Sequence, residues 1–200
     1  MSHYYDSVPN SEHQTRSIQA RFNGLDFEFT TDSGVFSKQR LDYGTALLIE
    51  TVIVDRQKMS GRLLDLGCGY GPVGIIFKRV FPALEVTLCD VNQRALSLAR
   101  RNAKANQVAY LSIVQSDALE AVDGPFDYIL TNPPIRAGKR VVHRFFEQSL
   151  SKLASGGLLY VVIQKKQGAP SALAKLQALF AEASVIEHSA GYWIIRAVKA

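Results

Sequence analysis

From Arg62 onward, short apolar runs alternate with longer amphipathic segments, the pattern of a parallel sheet covered by helices on both faces. The runs at 62–66, 84–89, 110–114, 128–131 and 158–164 predict strands, and the stretches at 73–80, 93–106, 142–153 and 171–182 predict helices. In the helix from Gln93, Leu96, Ala99 and Ala103 recur on one face while Arg94, Arg100, Arg101 and Lys104 fall on the other. The rhythm breaks at the end. Residues 185–188, the turn Ser189-Ala190-Gly191 and the run 192–198 leave no room for a parallel crossover, so they predict an antiparallel hairpin.

Upstream, Leu25, Phe27 and Phe29 alternate as in a strand, the turn-forming Thr31-Asp32-Ser33-Gly34 follows, and Val35-Phe36 predicts a return strand. Residues 46–54 place Leu47, Leu48, Val52 and Ile53 at helical spacing, with Thr45 as the expected N-cap. Residues 1–22 are expected to form a mobile arm. The remainder reads as one domain, an extension over 23–60 followed by an α/β core over 61–200, and 200 residues suit a single core.

Composition narrows the class. With 47% hydrophobic and 20% charged residues, disorder is excluded. No apolar run approaches the roughly 20 residues of a spanning helix, and Met1 to Asp6 lack the cationic start and apolar centre of an export signal. Cys68 and Cys89 do not form a CxxC pair, so neither a disulfide framework nor a bound metal is expected. The expected setting is the reducing cytoplasm, away from membranes. The net charge of +5 is uneven: residues 1–60 hold six Lys/Arg against eight Asp/Glu, and residues 61–200 hold seventeen against ten. That excess favours a polyanionic partner such as nucleic acid.

The chemistry begins at Leu63-Leu64-Asp65-Leu66-Gly67-Cys68-Gly69-Tyr70-Gly71-Pro72, a strand, a glycine-rich turn and a helix start. Glycines there permit unusual dihedrals and let a ligand approach the main chain without a Cβ in the way. NAD enzymes use such a turn too, with an acid about 20 residues later. Asp90, ending the second strand, meets that need for either ligand by accepting from ribose hydroxyls. Asp65 separates the two: a carboxylate beside the turn repels a pyrophosphate and attracts the ammonium and sulfonium of S-adenosylmethionine. Asp117, in Gln115-Ser116-Asp117-Ala118, is placed to accept from an adenine amino group.

After the fourth strand comes Thr131-Asn132-Pro133-Pro134. The prolines stiffen the chain and remove two donors, which holds the carbonyls of Asn132 and Pro133 as acceptors beside the Asn132 amide oxygen. The result is a clamp for a planar NH2. Donating both hydrogens to the Asn132 side chain and the Pro133 carbonyl turns the nitrogen lone pair toward an electrophilic methyl group, and orientation rather than a strong base supplies the gain.

Together, the glycine loop, Asp90, Asp117 and Asn132-Pro133-Pro134 resemble the class I S-adenosylmethionine-dependent N-methyltransferases. More narrowly, Gly34-Val35-Phe36-Ser37, Leu41-Asp42-Tyr43-Gly44-Thr45 and Asn132 through Lys139 resemble the RsmC-like small-subunit ribosomal RNA guanine-N2 methyltransferases, over about residues 23–200. The resemblance implies a Rossmann-like, seven-stranded, mostly parallel sheet with an antiparallel last strand, S-adenosylmethionine as cofactor and ribosomal RNA as partner. Carried over residue by residue, it implies Asp65, Gly67, Cys68, Gly69 and Gly71 at the methionine end, Asp90 with Val91 at the ribose, and Asp117 with Ala118 at the adenine. Asn132, facing the cofactor as well, takes the target amine with Pro133 and Pro134.

Two departures stand out. Many amino-methyltransferases resembling this chain carry an aromatic after the two prolines to stack on the target ring; here Ile135 stands there, so stacking falls to Phe36, Tyr43 or Tyr70. The larger RsmC proteins also look like a duplicated pair of domains, of which this chain has the catalytic half. Arg136, Lys139, Arg140, His143 and Arg144 follow the clamp without an acid among them, and with Phe36 and Ile135 they are expected to receive RNA, the cations through its phosphates. His143 reads as a surface helix residue rather than a base, and Trp193 with Tyr192 and Ile194 as sheet core. Rival readings keep the cofactor but change the acceptor to a protein glutamine or a small amine, make the chain a non-catalytic RNA-binding assembly factor, or make it a nicotinamide-dependent oxidoreductase.

Overall fold

A computed structural model of the chain describes residues 15–32 and 41–200. Its centre is a seven-stranded sheet. Strands β3 (Gly61–Leu66), β4 (Leu84–Asp90), β5 (Leu111–Gln115), β6 (Phe126–Thr131), β7 (Leu153–Gln164), β8 (Glu182–Ser189) and β9 (Tyr192–Val198) lie in the order β5-β4-β3-β6-β7-β9-β8. All neighbours pair in parallel except β9, which runs antiparallel to both β7 and β8. The expected topology and its reversed last strand are therefore present. Helices α2 (Pro72–Val80), α3 (Gln93–Ala105), α4 (Lys139–Lys152) and α5 (Ala169–Leu179) fill the crossovers.

Side-chain alternation along the strands divides the core in two. On one face Leu158, Tyr160 and Val162 of β7 join Leu63, Val86 and Leu88 under α2, α3 and α1 (Tyr43–Asp55). On the other, Leu159, Val161 and Ile163 pack with Leu64, Leu66 and Ile129 under α4 and α5. At the rim of the first core, Tyr160 donates to Asp55 (2.5 Å), which also takes Arg196 (3.0 Å), so the end of α1 is tied to β7 and β9.

Leu25–Thr31 is strand β2, as expected, and it pairs with a preceding strand, β1 (Arg16–Phe22), that was not expected. Residues 16–22, expected within a mobile arm, are thus part of a hairpin. The two-residue connection Asn23-Gly24 has φ of 48° and 76°, and two positive φ values are what a tight hairpin turn with the right twist demands. The Asn-Gly dipeptide is itself a local signal for such a turn. The return strand expected at Val35-Phe36 lies outside the described residues, as does Phe36 as a substrate contact.

Two asparagines on α3 dock the hairpin. Asn102 Oδ1 accepts from Thr30 N (2.7 Å) and Asn106 Oδ1 from Glu28 N (3.0 Å), while their Nδ2 groups donate to the carbonyls of the same two residues. They satisfy the free edge of β2 as another strand would. Arg94 and buried Asp32 add an ion pair at 2.5 Å. The cap of α1 also differs from expectation: Asp42, not Thr45, is the N-cap, its Oδ2 accepting from Thr45 N at 3.0 Å.

Candidate active site

The carboxyl ends of β3, β4, β5 and β6 converge on one crevice, where an open α/β sheet reverses its strand order and leaves room for a ligand. After β3 the chain turns through Gly67, Gly69 and Gly71, whose φ values of 71°, 55° and 87° require glycine for low strain. Gly67 and Cys68 both donate to the Cys89 carbonyl at 2.9 Å, fastening this turn to the end of β4. Gly71 has a second role: a Cβ there would lie 2.9 Å from Leu88, so it lets α2 approach the sheet.

Asp65 and Asp90 are buried on either side of this turn. Asp65 Oδ2 accepts from Gly74 N (2.8 Å), so it supplies the side-chain cap that α2 otherwise lacks. Asp90 accepts from Gly69 N (2.8 Å) and Asn92 N (2.9 Å). Burial pushes the Asp65 carboxyl up to about 7, against the Gly74 hydrogen bond and with help from neighbouring Asp90. Burial raises Asp90 as well, opposed by its backbone donors. Neither carboxylate meets a cationic side chain among the described residues.

Asn132 follows β6 and is held from an unexpected direction. Its Nδ2 donates to Asp42 Oδ2 (3.0 Å) and to Thr45 Oγ1 (3.0 Å), both at the start of α1. A carboxylate can only accept, so the amide nitrogen must face Asp42 and the amide oxygen is left for the crevice. The Pro134 carbonyl is taken by Ala137 N (2.9 Å), whereas among the described residues no such backbone donor occupies the Pro133 carbonyl.

A narrow cavity of ≈ 20 Å³ brings Gly67, Asp90, Val91, Ala118, Asn132 and Pro134 together, with Leu66, Cys89, Ser116 and Phe145 completing its wall. A nucleoside-sized ligand needs this crevice to widen. Asp65, Cys68, Gly69, Gly71, Asp117 and Pro133 are not in the wall itself. A separate groove of ≈ 680 Å³ runs between the β1–β2 hairpin and the end of α3 and includes none of these residues.

Some expectations change. Asp117 is ion-paired with Arg144, which also reaches Glu120 at 3.6 Å, so Arg144 is not a ready phosphate ligand and Asp117 is already engaged. Tyr70 is buried against Phe29, edge to face at 5.9 Å, which removes it as a stacking surface. Ile135 packs partly into the second core. Arg136, Lys139 and Arg140 are exposed and meet no carboxylate among the described residues. His143 packs on Phe146 at 6.2 Å, and burial with Lys139 and Lys175 nearby lowers its pKa. Ile194 is core, while Trp193 and Tyr192 are only partly covered. Sequence reasoning missed Asp42 and Thr45 as partners of Asn132; the segment containing them stood out, but nothing local links residues 90 positions apart. Ser116 and Phe145 carried no signal beyond an ordinary loop and an apolar helix face.

The residues present suit S-adenosylmethionine. Two buried carboxylates without a cation flank a turn free of side chains at Gly67 and Gly69, which favours a positively charged ligand and disfavours a pyrophosphate. Among the described residues no three His, Cys, Asp or Glu side chains gather as metal ligands, and no helix is long and apolar enough to cross a membrane.

Comparison with known proteins points the same way. The family described as "Methyltransferase small domain" matches residues 26–196. The chain is 46% identical over 199 residues to the uncharacterized protein YbxB of Bacillus subtilis (strain 168), covering 98% of each. It is 30% identical over 188 residues to ribosomal RNA small subunit methyltransferase C of Shewanella amazonensis, covering 92% of this chain and 53% of that protein. It also superposes with a TM-score of 0.83 and 25% identity on the T. Thermophilus 16S rRNA N2 methyltransferase RsmC, solved with AdoMet and guanosine, over 96% of this chain and 52% of that one. The chain thus spans about half the length of these two RsmC proteins.

Proposed function

Since the chain belongs to the methyltransferase small domain family and is an S-adenosylmethionine-dependent methyltransferase, we propose that its acceptor is an exocyclic amine of RNA, guanine N2 of small-subunit ribosomal RNA. One observation carries this reading: the Asn132 amide nitrogen is spent on Asp42 and Thr45, so the crevice receives an acceptor oxygen suited to an N–H donor.

Asn132 Oδ1 accepts one hydrogen of the target NH2 and the Pro133 carbonyl accepts the other. Both acceptors stand fixed before the reaction, Asn132 by two hydrogen bonds and Pro133 by its ring, so little reorganisation is needed as positive charge grows on nitrogen. Asp90 keeps lone pairs for ribose hydroxyls beyond its backbone hydrogen bonds. Asp65, with the main chain of Gly67, Cys68 and Gly69, favours the cationic methionine end, and Gly71 shapes that turn. Val91 and Ala118 flank the nucleoside, and Asp117 is assigned the adenine amino group, which it accepts while paired with Arg144. When bound, S-adenosylmethionine supplies a methyl group on a cationic sulfur. The oxygens of Asn132 and Pro133 would hold the acceptor nitrogen toward that methyl group, and the methylated amine would release its proton to water.

RNA is preferred over a glutamine amide or a small amine because Arg136, Lys139 and Arg140 stand beside the clamp with no carboxylate among the described residues to neutralise them. The two named RsmC relatives and the guanosine bound in one of them support the base. The test is methyl transfer from labelled S-adenosylmethionine to RNA from cells lacking the protein, with the modified base mapped by mass spectrometry. Label on guanine N2 of small-subunit RNA, absent with Asn132→Ala, is the expected result. Label on protein, or none on RNA in any assembly state, overturns it.

A further inference from the structure

A contact path leads from Asn132 across the carboxyl edge of the sheet to a part of the surface the proposed chemistry does not use. Asp42 and Thr45, which hold Asn132, flank Tyr43 and Gly44 at the start of α1. Tyr43 is 48% exposed. It is nonetheless fixed. Its hydroxyl hydrogen-bonds Ser189 Oγ (2.8 Å), and its ring lies 5.7 Å from that of Tyr192 at 45°. Tyr192 is itself seated on Gly44, where a Cβ would come within 2.8 Å of its ring. Tyr192 pairs with Gln164, and the next residue, Lys165, donates its N–H to Gly191 O (2.7 Å). Lys165 and Lys166 are both exposed and meet no carboxylate among the described residues. The nearby Glu187 carboxylate accepts from His188 N at 2.8 Å.

We propose that Tyr43, instead of stacking on the target ring, forms with Lys165 and Lys166 a second subsite, which holds the nucleotide flanking the target in single-stranded RNA. The inference rests on the reading of RNA as substrate. The Tyr43 ring stacks on the flanking base, and the two ammonium groups take its phosphates. A pre-fixed ring loses little side-chain freedom when a base covers it, and every base offers a face, so the subsite is tolerant of sequence. A free nucleoside has nothing to place there. The subsite therefore selects a polynucleotide over a small amine, whereas the clamp alone accepts both.

The test is fluorescence anisotropy of the full chain with a labelled single-stranded RNA containing an unpaired guanine, titrated at several salt concentrations. Tyr43→Ala should weaken binding about 5- to 150-fold, the range base–aromatic stacking supplies. Tyr43→Phe, which keeps the ring and drops only the Ser189 bond, should stay within about twofold of the parent protein, as expected for stacking. Lys165→Ala with Lys166→Ala should lower the slope of log affinity against log salt by about 1.4, at roughly 0.7 per phosphate contact on a single strand. Affinity for guanosine should not change in any of the three. If the Tyr43 and lysine variants bind RNA like the parent while Arg136→Ala with Lys139→Ala weakens it, the subsite is wrong and the RNA reading stands. If the parent protein shows no salt-dependent RNA binding, the RNA reading fails and takes the subsite with it.

Discussion

Asp42 Oδ2 and Asn132 Nδ2 lie 3.0 Å apart, although the residues are 90 positions apart in the chain, and this one bond decides which end of the amide faces the crevice. The same carboxylate oxygen caps α1. Capping and amide orientation can be separated by substitution. Asp42→Ala should cost about 1 kcal/mol of stability through the lost cap, and Asp42→Ser, also a good N-cap, should recover most of it. Both should lower kcat by roughly 10- to 100-fold, the worth of a hydrogen bond to a charged group. Thermal melts beside steady-state kinetics check this, and full turnover in Asp42→Ser would show that Asp42 does not set the amide.

Asn132 and Asp90 line one cavity but are assigned opposite kinetic signatures. Asn132→Ala should lower turnover at least about 100-fold, as loss of an oriented acceptor does, and leave S-adenosylmethionine affinity within a few-fold. Asp90→Ala should instead weaken the cofactor. Asp90→Asn, which still offers an acceptor to Gly69, controls for damage to the loop. Isothermal titration separates these outcomes, and unchanged affinity in both Asp90 variants refutes the ribose role.

Asp65 gives the protein a pH signature. Its folded-state pKa of about 7 lies above the value of about 4 for an unfolded chain, so between these limits the folded protein holds a proton the unfolded one has released. This group's contribution therefore makes the ligand-free protein less stable as pH rises from about 4 to 7. Affinity for a cationic cofactor runs the other way and falls as pH drops below about 7, because a neutral carboxyl attracts no cation. Asp65→Asn should flatten both dependences while keeping an acceptor for Gly74, as urea melts and cofactor titrations at pH 5.5 and 8 would reveal.

The two thiols should be inert. Cys68 and Cys89 are buried, and burial next to Asp65 and Asp90 raises the pKa of each. Native protein at pH 8 should take up no iodoacetamide by intact mass, and urea-unfolded protein should take up two equivalents. Rapid modification of the native chain would place a thiol outside the packed interior.

Sequence alone determined the α/β layering, the glycine turn with its two acids, and the Asn-Pro-Pro motif after β6. These are written in periods of two and 3.6 residues and in short contiguous motifs, which local sterics and side-chain chemistry read directly. It was less clear wherever a partner came from far along the chain. The Asn-Gly turn of the hairpin was locally visible but lost to a competing turn signal seven residues on. No period marks the docking of β2 on Asn102 and Asn106, the Arg144 contact to Asp117, or the burial of Tyr70. Only the tertiary structure decided which way the Asn132 amide points and how Tyr43 is fixed at the surface. Both depend on α1, β6 and β9 meeting at one edge of the sheet, and a hydrogen bond between distant residues exists only once packing has brought its two ends together.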